Sequence, residues 1–118
     1  MRTRDVETRR GIRSRLHEAG EGEPLLYLHG AGGLLPEEPL LERLAERFHV
    51  LAPEWPGYGE SEGEAKLEDM LDFALHGWDL VEALDLERPF LVGHSMGGMI
   101  AAEMAALAPR QLARLVLL

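Results

Sequence analysis

Gly93-His94-Ser95-Met96-Gly97-Gly98 is the stretch on which the reading of this chain turns. Before it lies the apolar run Pro89-Phe90-Leu91-Val92, whose length and framing suit a buried strand. After it, Met96 to Leu107 reads as a helix whose small residues (Gly97, Gly98, Ala101, Ala102, Ala105) permit close packing. Gly93 to Gly97 fits the pattern Gly-x-Ser-x-Gly in the strand-to-helix setting that the pattern needs. The reason is steric. A very sharp turn holds the central residue in a strained backbone conformation and lifts its Oγ clear of the sheet. Gly93 and Gly97 are small where the chain folds tightly past itself. Ser95 also starts a helix, where free N–H groups and the dipole favour negative charge. The Met96 N–H is then placed to hold an oxyanion. The plainer alternative is a glycine-rich helix start with Ser95 near the N-cap.

Outward from that turn, the chain alternates strand and helix. Leu25-Leu26-Tyr27-Leu28 is a buried strand, closed by His29-Gly30. Leu40, Leu41, Leu44 and Phe48 sit at helical spacing, and Phe48-His49-Val50-Leu51-Ala52 is the next strand, stopped by Pro53. A loop rich in Gly, Pro and Glu runs to about residue 65. Leu67, Met70, Leu71, Ala74, Trp78, Val81 and Leu84 trace an amphipathic helix whose stripe faces the sheet. Arg114-Leu115-Val116-Leu117-Leu118 is a fourth buried strand. The expected class is α/β, a predominantly parallel sheet with helices on both faces. The charged runs Val6–Thr8 and Ile12–His17 add antiparallel strands at the N-terminal edge. Ligands in such sheets bind beyond the carboxyl ends of the strands, where the loops 29–35, 53–65 and 93–96 leave. The first of these, His29-Gly30-Ala31-Gly32-Gly33, is nearly free of side chains. Its backbone N–H groups can approach a substrate oxygen. Ala31 is the choice for a second oxyanion donor, with Gly32 as the alternative. A Walker phosphate loop needs a Gly-Lys-Ser/Thr run that is missing here, and the dinucleotide spacing Gly-x-Gly-x-x-Gly is also not met.

Taken together, three motifs carry a resemblance. His29-Gly30-Ala31-Gly32-Gly33, Pro56-Gly57-Tyr58-Gly59-Glu60-Ser61 and Gly93-His94-Ser95-Met96-Gly97-Gly98 stand in the order found in the α/β-hydrolase fold. Residues 1–118 resemble the N-terminal part of a single domain of that family, a truncated α/β-hydrolase fold. The resemblance implies a serine hydrolase acting on ester, lactone or related carbonyl substrates. Ser95 would be the nucleophile, the Met96 and Ala31 amides the oxyanion donors, and His29, Gly30, Gly32, Gly93, His94 and Gly97 the site loops. It implies no cofactor. The family usually has Asp shortly before the Pro-Gly pair, where this chain has Pro53-Glu54-Trp55, a departure that bears on how the loop is anchored.

A serine hydroxyl needs a base to take its proton. In this family the order is Ser, then Asp or Glu, then His. Residues 96–118 hold no His or Asp, and their single acid, Glu103, is mid-helix. The remaining histidines offer little. His94 should point away from Oγ along the extended run. His29 is expected near the site but shapes the oxyanion loop. His76 shares its helix face with Asp72 and Asp79, which suggests solvent exposure, and His17 and His49 belong to strands with no link to Ser95. No pair has metal-ligand spacing, so no metal site is expected. The chain therefore reads as a hydrolase that is incomplete in 118 residues, lacking the later strands, the acid and His, and the lid. The alternative is a non-catalytic fragment or a small-molecule binding module of the same fold.

Composition sets the outer bounds. Hydrophobic residues make up 46% and charged residues 28%, which is globular rather than disordered. Residues 1–15 carry a local +4 from six arginines against Asp5 and Glu7, so the rest of the chain holds −13 of the net −9. Such an acidic body repels phosphate backbones, and nucleic acid is not an expected partner. The basic start reads as a solvated pair of edge strands. No run is long enough for a membrane span, and the start has no apolar signal region. With no cysteine, the cytoplasm is the expected compartment. The expected partner is a small-molecule substrate. An open edge at Leu115-Val116-Leu117-Leu118 predicts self-association.

Overall fold

The computed structural model describes residues 1–35 and 38–118. Among them, one sheet runs in the order β1-β2-β4-β3-β5-β6. Its strands are β1 (Arg2–Glu7), β2 (Arg13–Ala19), β3 (Glu23–Leu28), β4 (Phe48–Pro53), β5 (Phe90–Gly93) and β6 (Arg114–Leu117). The helices are α1 (Pro39–Leu44), α2 (Met70–Ala83) and α3 (Met96–Leu107), with short 3-10 turns at Glu64–Lys66 and Pro109–Gln111. β3 pairs in parallel with β4 and β5, and β5 with β6. β1–β2 and β2–β4 are antiparallel. The mixed sheet with an antiparallel N-terminal edge is the expected one.

The period of two along each strand explains why the central runs are apolar throughout. Leu25 and Tyr27 face one side with Val50, Ala52 and Val92, where α1 delivers Leu41. Leu26, Leu28, Leu51 and Leu91 face the other side, against Ala74 of α2 and Ile100, Ala101 and Met104 of α3. Each central strand is therefore buried on both faces. α2 starts later than its apolar spacing suggests. Asp69 caps it by accepting from the Asp72 N–H at 2.9 Å, so Leu67 lies outside. α1 is shorter than the Leu40–Phe48 spacing suggests, because Phe48 already belongs to β4.

The arginine-rich edge is internally neutralised. Arg4 pairs with Glu18, Arg9 with Glu82, Arg13 with Asp5 and Glu62, and Arg15 with Asp5 at 2.7 Å. Arg10 Nε lies 3.1 Å from Asp79 Oδ2, close enough for attraction but without the alignment of a hydrogen bond. Asp5 is held below the usual carboxylate range by its bond from Arg15. These arginines fasten β1 and β2 to their neighbours. At the other edge Val116, Leu117 and Leu118 are exposed. No helix among the described residues is long and apolar enough to cross a membrane.

Candidate active site

The strand order reverses at β3: β4 lies on one side of it and β5 on the other. Loops leaving the carboxyl ends of strands at such a reversal diverge and open a crevice. Here those loops are 29–35 after β3 and 94–95 after β5. The His94 N–H donates to Leu28 O at 3.0 Å and so ties the second loop to the first.

Ser95 sits at the turn with φ 54° and ψ −118°, a left-handed conformation that non-glycine residues avoid. Its side chain is exposed and makes no capping bond to α3, so the plain helix-cap reading does not hold. Close approach enforces the turn. A Cβ at Gly97 would overlap Leu28 O and stand 2.6 Å from His29 O, and one at Gly93 would stand 2.7 Å from Gly98 Cα. A Cβ at Gly30 would lie 3.1 Å from Ser95 Cβ, so the two loops touch there. The Ser95 N–H donates to Leu118 O at 3.1 Å. Among the described residues the Met96 and Ala31 amides have no such acceptor.

The loop after β3 is shaped by its histidine. His29 is buried; Nδ1 donates to Gly30 O at 2.7 Å and Nε2 accepts from the Trp55 N–H at 2.9 Å. Both ring nitrogens are used and the ring is neutral, since burial holds its pKa below the ordinary value. The Trp55 indole N–H returns a bond to His29 O at 3.1 Å, and the Tyr58 hydroxyl donates to Ala31 O at 3.1 Å. Trp55 is fully buried, a structural anchor rather than a site lining. A cavity of about 310 Å³ opens in front, lined by Gly30–Leu35, Tyr27, Glu38, His94 and Ser95.

The structure thus brings together Ser95, Met96, Ala31, His29, Gly30, Gly32, Gly93, His94 and Gly97. His94 lines the same cavity as Ser95. One histidine expectation needs correction. His76 is buried, not exposed; its Nε2 lies 3.5 Å from Ser14 Oγ, and burial lowers its pKa to about 4. His17 and His49 bond to Glu54 and Glu18 at 2.5 and 2.6 Å. Glu54 is the residue whose part the sequence hinted at without resolving. A carboxylate in place of the usual Asp was the signal.

The family profile described as the alpha/beta hydrolase fold matches residues 23–118. The chain belongs to that family. It is similar to a 2-hydroxymuconate semialdehyde hydrolase of Pseudomonas sp. strain CF600, 36% identical over 92% of this chain and 40% of that protein. It is also similar to an (E)-2-((N-methylformamido)methylene)succinate hydrolase of Acinetobacter baylyi, 34% identical over 86% of this chain and 39% of that protein. Among solved structures, a carboxylesterase of Bacillus subtilis superposes with a TM-score of 0.89 at 26% identity, covering 99% of this chain and 42% of that one. The chain spans about 40% of the length of the curated relatives it matches. As an α/β-hydrolase-fold chain it holds the strands β1–β6 and the turn at Ser95.

Proposed function

We propose that residues 1–118 carry the nucleophile half of a serine hydrolase site for ester, lactone or related carbonyl substrates. Ser95 Oγ attacks the carbonyl carbon. A base takes the hydroxyl proton and the Met96 and Ala31 N–H groups stabilise the tetrahedral oxyanion; its collapse breaks the ester C–O bond, the leaving alcohol takes that proton, and water then hydrolyses the acyl-serine to the acid and free Ser95. One observation carries this reading: an exposed serine with φ 54° at the start of the 12-residue α3, facing the glycine-rich loop Gly30–Gly33. The hydrolases and the carboxylesterase among its relatives support the reaction class. Among the described residues no histidine bonds to Ser95, and His29 has both nitrogens engaged. The base and its orienting acid therefore come from the part of the domain that the relatives have beyond these residues, and the 118-residue chain alone is expected to be inactive.

A fluorophosphonate probe tests this. In a chain extended to the length of the relatives, mass spectrometry should find the adduct on Ser95, and Ser95→Ala should abolish it. An adduct on another residue, or none, refutes the proposal. We further propose a cytoplasmic setting, to be checked by cell fractionation. Pairing of two copies along the exposed β6 edge is expected for residues 1–118; a monomer at all concentrations in light scattering would exclude it.

A further inference from the structure

The second loop, residues 54–61, is built around a buried carboxylate. Glu54 Oε1 accepts from His17 Nε2 at 2.5 Å, and Oε2 accepts from the Glu60 N–H at 3.0 Å. Both partners matter, because a buried carboxylate without hydrogen bonds is strongly disfavoured. The backbone of Glu54 is held as well. Its N–H donates to Arg15 O at 2.9 Å, and its carbonyl accepts from Ser61 Oγ at 2.7 Å. That same hydroxyl accepts from the Arg15 N–H at 2.9 Å. The two ends of the loop are thus drawn together on β2. Gly59, at φ 51°, leaves room for the carboxylate; a Cβ there would overlap it. The residues between the ends are those that grip the first loop: Trp55 by two bonds to His29, and Tyr58 by one to Ala31.

We infer that Glu54, held by His17, is a positioning residue that sets the 54–61 loop and, through Trp55 and Tyr58, the backbone of residues 29–31 beside Ser95. The catalytic meaning of that backbone rests on the hydrolase reading above. Aspartate is one methylene shorter and does not span from the backbone at 54 to both His17 and the Glu60 amide. Glutamine spans the distance but accepts at one end only: with its carbonyl on the Glu60 N–H, its NH2 group faces His17 Nε2, which must then give up its hydrogen, so the donor–acceptor pattern that holds the carboxylate is not reproduced. A role in bulk stability alone would be met as well by an apolar side chain, which avoids the desolvation of a carboxylate. The buried polar contacts here are specific to one loop geometry.

The test is heteronuclear NMR of the 118-residue chain with Glu54→Gln, Glu54→Asp, His17→Ala and His17→Gln. Leu112→Ala is the control, a core truncation at the opposite end of the strands. Both Glu54 variants and His17→Ala should shift the Trp55 indole N–H and the Ala31 and Gly32 amides. His17→Gln, which keeps an N–H donor, should restore them. Leu112→Ala should lower the melting temperature without moving those signals. In a longer chain that labels at Ser95, Glu54→Gln should slow labelling on the order of tenfold. Unmoved indole and amide signals in Glu54→Gln, or equal shifts in Leu112→Ala, overturn the inference. If Glu54→Asp does not fold, the length-matched glutamine variant decides. Failure of wild-type Ser95 to label would sink the hydrolase reading, while the NMR comparison would still settle the positioning role.

Discussion

Lowering the pH should unfold this chain through His76, a residue outside the proposed chemistry. The imidazole is fully buried on α2. It has Ser14 on β2 at 3.5 Å, the Trp55 ring at a centroid distance of 6.1 Å, and a buried Nδ1 with no partner among the described residues. Burial is the main cause of its low pKa, and the positive charge of Arg10 adds to it. Asp79, one turn further along α2, pairs with that same arginine. The sign follows from proton binding. In the unfolded chain His76 takes a proton near pH 6.5, whereas in the folded chain it stays neutral down to about 4. Between those values the unfolded state binds more protons, so stability falls as pH falls and levels off below the folded value. The gap corresponds to about 3 kcal/mol. Against a total of roughly 5–15 kcal/mol for a domain, that is a large share. Other groups titrate in acid as well. Glu18 is held low by its bond from Arg4, and Asp5 by Arg15, so each loses its contribution as pH drops through its folded value. His76→Gln isolates the histidine, because it keeps a polar end near Ser14 and cannot be protonated. Urea unfolding followed by tryptophan emission at several pH values from 7.5 to 4 gives the two curves. The wild type should lose about 3 kcal/mol more than the variant across that range. Parallel curves would show that His76 is hydrated or already paired when folded, and would refute the reasoning.

Other outcomes follow from contacts already described. Gly97→Ala must push against the carbonyls of Leu28 and His29, which are fixed by the sheet, and should cost at least about 3 kcal/mol in chemical denaturation. Gly77→Ala meets the flexible Met104 side chain (Sδ, Cε and Cγ) rather than backbone, so repacking and better helix propensity should keep its cost under about 2 kcal/mol. A reversed order of the two would show that the turn at Ser95 is looser than drawn. Asp69→Ala removes the N-cap of α2 and should lower stability by about 1 kcal/mol, with Asp69→Ser recovering most of it in the same denaturation assay.

Much of this arrangement was legible from local pattern. The span of α3 was readable at both ends, because Gly93 and Gly97 mark the turn before it and Ala108-Pro109 the stop after it. The parallel core was readable because strands covered on both faces are apolar without alternation. The misses at His76 and Glu54 share a cause, which is contact between segments far apart in the chain. His76 looked exposed because Asp72 and Asp79 flank it on the helix. Yet β1 and β2 pack over that face, and Arg10, from the turn between them, neutralises Asp79. The start of α2 was readable from Asp69, but the apolar spacing through Leu67 obscured it. Two of the partners of Glu54, His17 and Arg15, lie on β2, nearly forty residues earlier, and no local signal names them.

The reversal of strand order at β3 separates the synthesis of the parts of the crevice from their meeting. The loop at 29–33 is finished some sixty residues before Ser95, and the kink there leans on the Leu28 and His29 carbonyls that border β3. During refolding, then, the serine should reach its bent conformation only once β5 has slotted in beside β3. In rapid-mixing experiments, amide protection at Gly97 and Gly98, whose N–H groups donate to His94 O and Ser95 O, should appear in the last kinetic phase, after that of β1 and β2; simultaneous protection would contradict this order.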